Sequence, residues 1–249
     1  MNKQTYNKQE KVIFHNTKIS SILILVPTYN EIENLQPLCH RLHEVLGKTG
    51  WSYELVLVDD GSTDGSGDVL RRLHGESSKV KVLSFRRNFG QTAALAAGFE
   101  YASGNVIVSM DADLQNSPAD IPLLLDAIKE YDVVCGWRYK RKDPWIRKIS
   151  SKIANTVRNL LSDETIADTG CSLKAFRREC FKNIKLYNGM HRFFPTLMKM
   201  EGFSVTQVKV EHYPRIYGHS KYNIRNRLFT SFEDLLAIRW MKKRKLKYD

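Results

Sequence analysis

The chain has 249 residues, 42% of them hydrophobic and 27% charged, with a formal net charge of +12, a composition that supplies a core and excludes a disordered chain. No run of about 18 uninterrupted apolar residues occurs, so no membrane-spanning helix is expected, and the N-terminus lacks the apolar stretch of a secretory signal. The four cysteines (Cys39, Cys135, Cys171, Cys180) show no C-x-x-C pair and are expected to be reduced thiols on the cytosolic side.

The first 130 residues alternate strand and helix signals. Ser21–Pro27 is a continuous aliphatic run, followed by a helix over Glu31–Leu46 that sets Leu35, Leu38, Leu42 and Leu46 at helical spacing. Glu54–Val58 predicts a second strand, Thr63–Leu73 a helix, Val80–Phe85 a third strand and Ala93–Tyr101 an alanine-rich helix. Asn105–Met110 is the fourth strand, Pro118 suits the first turn of a helix ahead of Ile121–Ile128, and Asp132–Gly136 is the fifth strand. The later pattern predicts an amphipathic helix at Trp145–Leu161, a short strand at Ser172–Phe176 and a helix at Arg192–Met200. A strand at Ser204–Val210 and a terminal helix at Ile224–Lys247 follow. Apolar strands alternating with helices predict an α/β fold with a mainly parallel sheet covered on both faces.

In such a sheet, ligands collect beyond the carboxyl ends of the strands. Polar motifs fall at four such ends: PTYNE (27–31), DDGS (59–62), RRNFG (86–90) and DADLQ (111–115). Carboxylates gathered there repel one another unless a cation or hydrogen-bond donors compensate. Asp111 and Asp113, with Gln115 two residues on, form an oxygen-rich set suited to Mg²⁺ or Mn²⁺, substrate phosphates completing the shell. Taken singly, Asp60 or Asp111 also fits a turn or helix cap. No G-x-G-x-x-G follows the first strand and no Gly-Lys-Ser/Thr loop occurs, which disfavours a dinucleotide dehydrogenase or P-loop NTPase.

The ordered set PTYNE, DDGSTD, RNFG and DADLQ resembles a family 2 glycosyltransferase of GT-A fold, with its Rossmann-like sheet. GWR (136–138), DTGCSLKAFRR (168–178), MHRF (190–193) and PRIYGHSKYN (214–223) make the second half similar to the dolichyl-phosphate mannose synthase branch, with its bacterial polyprenyl-phosphate sugar transferases. The chain then divides into an N-terminal extension (1–19), a glycosyltransferase domain (20–223) and an amphipathic basic helix (224–249). Within the domain, 20–137 is the nucleotide-sugar half and 138–223 the acceptor half.

The resemblance implies an inverting, metal-dependent transfer of one sugar from a UDP- or GDP-linked donor to a polyprenyl phosphate. Pro27, Tyr29, Glu31, Val58 and Asp60 would hold the nucleoside. Asp111 and Asp113 with Gln115 would hold the metal bridging the donor diphosphate, Ala112 lying between them. Arg138, Arg215 and Lys221 would meet phosphate oxygens of donor or acceptor, with Ser220 a further acceptor-phosphate contact. Asp168 belongs to the family's acceptor-side acidic motif; by its chemistry it fits a base, a group orienting Arg or Lys, or a turn cap. A phosphate monoester, with a second pKa of about 6, is largely ionised near pH 7 and needs cations more than it needs a base.

The charge is placed accordingly. Residues 1–132 hold 13 Lys+Arg against 17 Asp+Glu, and residues 133–249 hold 26 against 10. The basic half suits an anionic partner, yet it carries no helix-turn-helix, RNP or zinc-finger pattern, so nucleic acid is disfavoured. A saccharide or protein acceptor is the alternative enzyme reading, and would require a base. A catalytically silent sugar-nucleotide binder is disfavoured because the key positions are present. The terminal helix bears Leu228, Phe229, Phe232, Leu235, Leu236 and Trp240, then Lys242, Lys243, Arg244, Lys245 and Lys247. It fits either an anchor on an anionic membrane, placing the protein peripherally on the cytosolic face, or a helix packed on the domain with a solvated tail.

Overall fold

The computed structural model describes residues 19–139, 166–182, 184–218 and 224–246, with only the backbone over 224–232. The helix predicted at Trp145–Leu161 lies outside these residues, as do Ser220 and Lys221. In chain order the elements are β1 (Ser21–Thr28), α1 (Ile32–Gly47), β2 (Ser52–Asp59), α2 (Ser66–Glu76), β3 (Val80–Ser84), α3 (Gln91–Tyr101) and β4 (Val106–Ser109). There follow α4 (Ile121–Ala127), β5 (Val133–Arg138), β6 (Lys174–Arg177), α5 (Phe194–Met200), β7 (Val205–Val210) and α6 (Ile224–Arg244).

The strands join one seven-stranded sheet in the order β3-β2-β1-β4-β6-β5-β7. All pairings are parallel except those of β6, which runs antiparallel to both β4 and β5. The aliphatic run of β1 is continuous because both its faces are covered. Ile22, Ile24 and Val26 join one buried cluster with Leu35, Leu38 and Leu42 of α1, Leu70 of α2 and Leu124 of α4. Leu23 and Leu25 join the other with Leu95 and Phe99 of α3, Phe194 and Leu197 of α5, and Leu235 and Ile238 of α6. The expected α/β layering is what the chain adopts.

Two details place the site. At Gly98 a β-carbon would collide with the Leu25 side chain, so glycine lets α3 lie close on β1. The predicted helix start at Thr63 moves to Ser66, because the Asp64 carboxylate accepts the Ser66 N–H (2.9 Å) and Gly65 turns the chain at φ +94°. Residues 63–65 therefore belong to the rim loop rather than to α2.

Among the described residues no helix is long and apolar enough to cross a membrane. α6 divides its apolar residues: Leu235 and Ile238 are buried against the domain, whereas Leu236 and Trp240 are 46% and 64% exposed.

Candidate active site

The carboxyl ends of the parallel strands form one rim, and β6, running the opposite way, begins there. The loop ahead of β6 thus delivers Asp168 and Ser172 to the rim that the other strands reach with their last residues. Motifs from both halves of the chain meet there.

The turns after β1 and β2 are laced together. Asn30, at φ +52°, donates its N–H to Ser62 Oγ (2.9 Å) and accepts the Thr63 N–H at its side-chain oxygen (2.7 Å). Glu31 N–H donates to Ser66 Oγ (3.0 Å) and Ile32 N–H to Asp64 (3.2 Å). Asp59 accepts the Ser62 N–H (2.9 Å). Asp60 accepts the amides of Phe89 (2.7 Å) and Gly90 (2.9 Å), so its carboxylate fixes the RNFG loop onto β2. Burial raises the Asp60 pKa, against the lowering effect of these two amides. Gly61 is needed beneath the same loop: at φ +71° it lies where a β-carbon would strike the Arg87 backbone.

Of the nucleoside set, Pro27, Tyr29 and Glu31 line this partly exposed rim. Val58 is fully buried in β2, paired with β1 and β3 and packed among the side chains under α3, with no exposed surface of its own. Ala112 is likewise buried, in the opposite cluster.

The DADLQ loop carries the chemistry. Asp111 accepts from Gln91 Nε2 (2.8 Å), at the start of α3, and its own N–H donates to Ser172 Oγ (3.2 Å). Asn116 Nδ2 donates to the same hydroxyl (2.8 Å). Burial raises the Asp111 pKa, opposed by the Ser172 hydrogen bond and by the charges of Lys174, Arg138 and Arg215. Asp113 is pushed up to about 6, first by burial and then by the Asp111 charge, with Arg215 opposing. Leu114, at φ +58°, is a non-glycine residue in left-handed conformation, local strain of the kind found at binding sites.

Gln115 also makes a contact that the sequence did not suggest, through its amide nitrogen, the oxygen expected to face a metal not being engaged by it. Its side-chain amide donates to the Tyr213 carbonyl (3.4 Å) and its own carbonyl accepts the Tyr213 N–H (2.9 Å). With the bridge between Asn116 and His212, these bonds clip the loop after β7 to the acidic loop. That clip delivers Arg215, which donates to Asp113 (2.6 Å) and to Glu31 (3.3 Å). Among the described residues no group of three or more His, Cys, Asp or Glu is arranged to hold a metal by itself. The hard oxygens of Asp111 and Asp113, already drawing a guanidinium, fit a Mg²⁺ or Mn²⁺ ion that takes its remaining ligands from phosphate and water.

Asp168 is bound to Arg138. The guanidinium donates from Nε (2.7 Å) and Nη2 (2.8 Å) to the two carboxylate oxygens, and the Arg138 N–H adds a third contact (3.3 Å). Burial alone would pull the arginine pKa down, but the hydrogen bonds and charge of Asp168 outweigh it and raise the net value. Such a bidentate pair fixes a planar cation.

Sequence reasoning missed Gln91 and Ser172 as supports of Asp111. Both stand inside or beside quoted motifs, but only the fold shows that they reach the same residue. His191, which the sequence alone does not place in the site, shares a hydrogen bond with Thr92 Oγ1 (2.7 Å), which also accepts the Gly189 N–H (3.0 Å). This holds the MHRF segment beside the start of α3.

Residues 23–185 match the family model described as Glycosyl transferase family 2. The chain is 38% identical over 221 residues to the dodecaprenyl-phosphate galacturonate synthase of Rhizobium johnstonii, covering 86% of this chain and 65% of that protein. It is 36% identical over 222 residues to the undecaprenyl-phosphate 4-deoxy-4-formamido-L-arabinose transferase of Proteus mirabilis, covering 88% and 68%. The chain thus spans about two thirds of the length of these relatives. The fold is similar to that of glucosyl-3-phosphoglycerate synthase from Mycobacterium tuberculosis, crystallised with Mn²⁺, UDP and phosphoglyceric acid: TM-score 0.68, 15% identity, 94% of this chain and 81% of that one. With the family model matched across well over half its length, this chain belongs to glycosyl transferase family 2.

Proposed function

We propose that this chain transfers one sugar from a nucleotide-diphosphate donor to a polyprenyl phosphate. One observation carries the reading: two carboxylates, half-buried Asp111 and buried Asp113, stand on the same rim as two anchored guanidiniums, those of Arg138 and Arg215. Two anionic substrates need such an arrangement, one to be neutralised as it leaves and one to be oriented as it attacks. The named polyprenyl-phosphate transferases at 36–38% identity support the acceptor class.

Asp113 and Asp111 would hold the divalent ion, which when bound supplies Lewis acidity and a template for the diphosphate. The turns after β1 and β2 hold the nucleoside, Tyr29 and Glu31 facing it, while Asp60 keeps the 87–90 loop in place. Arg138, held flat by Asp168, takes the acceptor phosphate. No base is needed, because that phosphate enters ionised. The exposed Leu236 and Trp240, with Lys242, Lys243 and Arg244 after them, support a reading in which α6 lies against an anionic cytosolic membrane surface where the lipid acceptor would reside.

The test is transfer itself. Purified protein with Mn²⁺, undecaprenyl phosphate and a panel of labelled UDP- and GDP-sugars should move label into organic solvent for at least one donor. Label passing instead to a water-soluble saccharide would overturn the lipid acceptor.

A further inference from the structure

Glu31 and Asp113 come from the ends of two neighbouring strands, one at the start of α1 after β1 and one in the loop after β4. Both accept from Arg215, at 3.3 Å and 2.6 Å. Asp113 is mostly buried, and its other oxygen accepts the Gln115 N–H (3.2 Å). The carboxylate proposed to hold a divalent ion is therefore already neutralised by a side chain on the loop after β7.

We infer that Arg215 is a counter-ion that changes partners: it occupies the Asp113 oxygen before the metal arrives and passes to the donor diphosphate when the metal binds. The inference rests on the metal-dependent reading above and deepens it. A cation entering alone must displace a charge-assisted bond from a desolvated carboxylate, so it binds weakly. A nucleoside diphosphate offers the guanidinium a new pair of oxygens, in the bidentate geometry that arginine favours. Each ligand thus lowers the cost of admitting the other. Metal and diphosphate bind cooperatively for a reason built into the protein, beyond their direct contact with one another.

The clip at Gln115, Asn116, His212 and Tyr213 makes the exchange local. It keeps residues 212–213 on the acidic loop while Arg215, two residues on, can re-aim. The loop after β7 thereby senses whether the donor site is loaded.

Mn²⁺ binding to the purified chain, read by loss of the free Mn²⁺ electron paramagnetic resonance signal, tests this without turnover. It is measured alone, with UDP and with GDP, for wild type, Arg215→Gln and Arg215→Lys, each checked for folding by circular dichroism. Both variants should bind Mn²⁺ alone more tightly than wild type, about tenfold for Arg215→Gln, and should lose a matching part of the enhancement given by nucleotide. Arg215→Lys keeps the unit charge but cannot span both carboxylates. If it matches wild type while Arg215→Gln is tighter, the effect is net charge alone and the exchange of partners is overturned. If neither variant alters Mn²⁺ affinity while wild type binds Mn²⁺ with a nucleotide, the inference also fails and the metal reading stands. If wild type binds no Mn²⁺ under any condition, the metal reading itself fails.

Discussion

Replacing Asp113 with asparagine should stabilise the metal-free protein while abolishing the proposed metal site. The Asp113 carboxyl titrates at about 6 rather than 3.8, raised first by burial and then by the charge of Asp111. A carboxyl with a raised folded-state pKa binds its proton more tightly folded than unfolded, so its ionisation opposes folding above pH 6. That opposition shrinks as the pH falls through 6 and is gone below about 3.8, where both states are protonated. Each tenfold gain in proton affinity corresponds to about 1.4 kcal/mol, so holding this carboxyl near 6 costs up to about 3 kcal/mol at pH 7.5. Asparagine keeps the shape without the charge and recovers that cost. For a chain of this size the melting temperature should rise by roughly 6–12 °C. Differential scanning calorimetry in EDTA, at pH 7.5 and pH 5, reads both the offset and its decline. A variant that melts below wild type at pH 7.5 would refute the reasoning, since the Arg215 bond would then outweigh the desolvation of Asp113.

Asp168→Asn separates orientation from base catalysis. Loss of one carboxylate oxygen leaves Arg138 without its bidentate partner, and the acceptor KM should rise about tenfold while the acid limb of the pH–rate profile stays in place. A fall in kcat of about 10²-fold or more, with that limb lost, would assign Asp168 as a base. On α6, Leu236→Ser with Trp240→Ser removes two apolar side chains that are exposed among the described residues of the helix. Each contributes about 2 kcal/mol if buried in lipid, so partitioning to anionic vesicles in a sedimentation assay should fall by several hundredfold, or about 30-fold if only one of them inserts. Unchanged partitioning would show that α6 serves only to cover the core.

Strands and helices were legible wherever the apolar period was clean. β1 and β2 are buried on both faces, and the run Ser21–Pro27 has no other stable home in a domain of this size. The rim motifs were legible for a related reason: polar residues directly after such runs must stand at the sheet's edge. What the sequence did not disclose is direction and partnership. The four residues of β6 carry no mark of running antiparallel, yet that reversal brings Asp168 and Ser172 to the rim. Arg215 reads as a loop arginine, and its partners stand 102 and 184 positions away. Gln115 has the chemistry of a metal ligand and the spacing of one. Beside the bridge between Asn116 and His212 it also clips the two loops together through its amide nitrogen and its backbone carbonyl, a contact that no local pattern encodes.

The same reversal explains why the charge asymmetry of the chain does not divide the fold. The acidic first half supplies Glu31, Asp111 and Asp113, and the cations that lower the cost of burying Asp111 are Arg138, Lys174 and Arg215, all from the basic second half. β6 delivers one of these from between β4 and β5, inside the sheet rather than beside it. A donor half cut from the rest would lose the strand that pairs with β4 and every one of those counter-charges at once. Buried carboxylates without partners protonate or unfold their surroundings rather than persist as a binding site. The proposed donor and acceptor halves would therefore describe a division of chemistry along one continuous rim, and the positive charge proposed to orient an incoming phosphate is also what lowers the cost of burying the acidic loop before any ligand arrives.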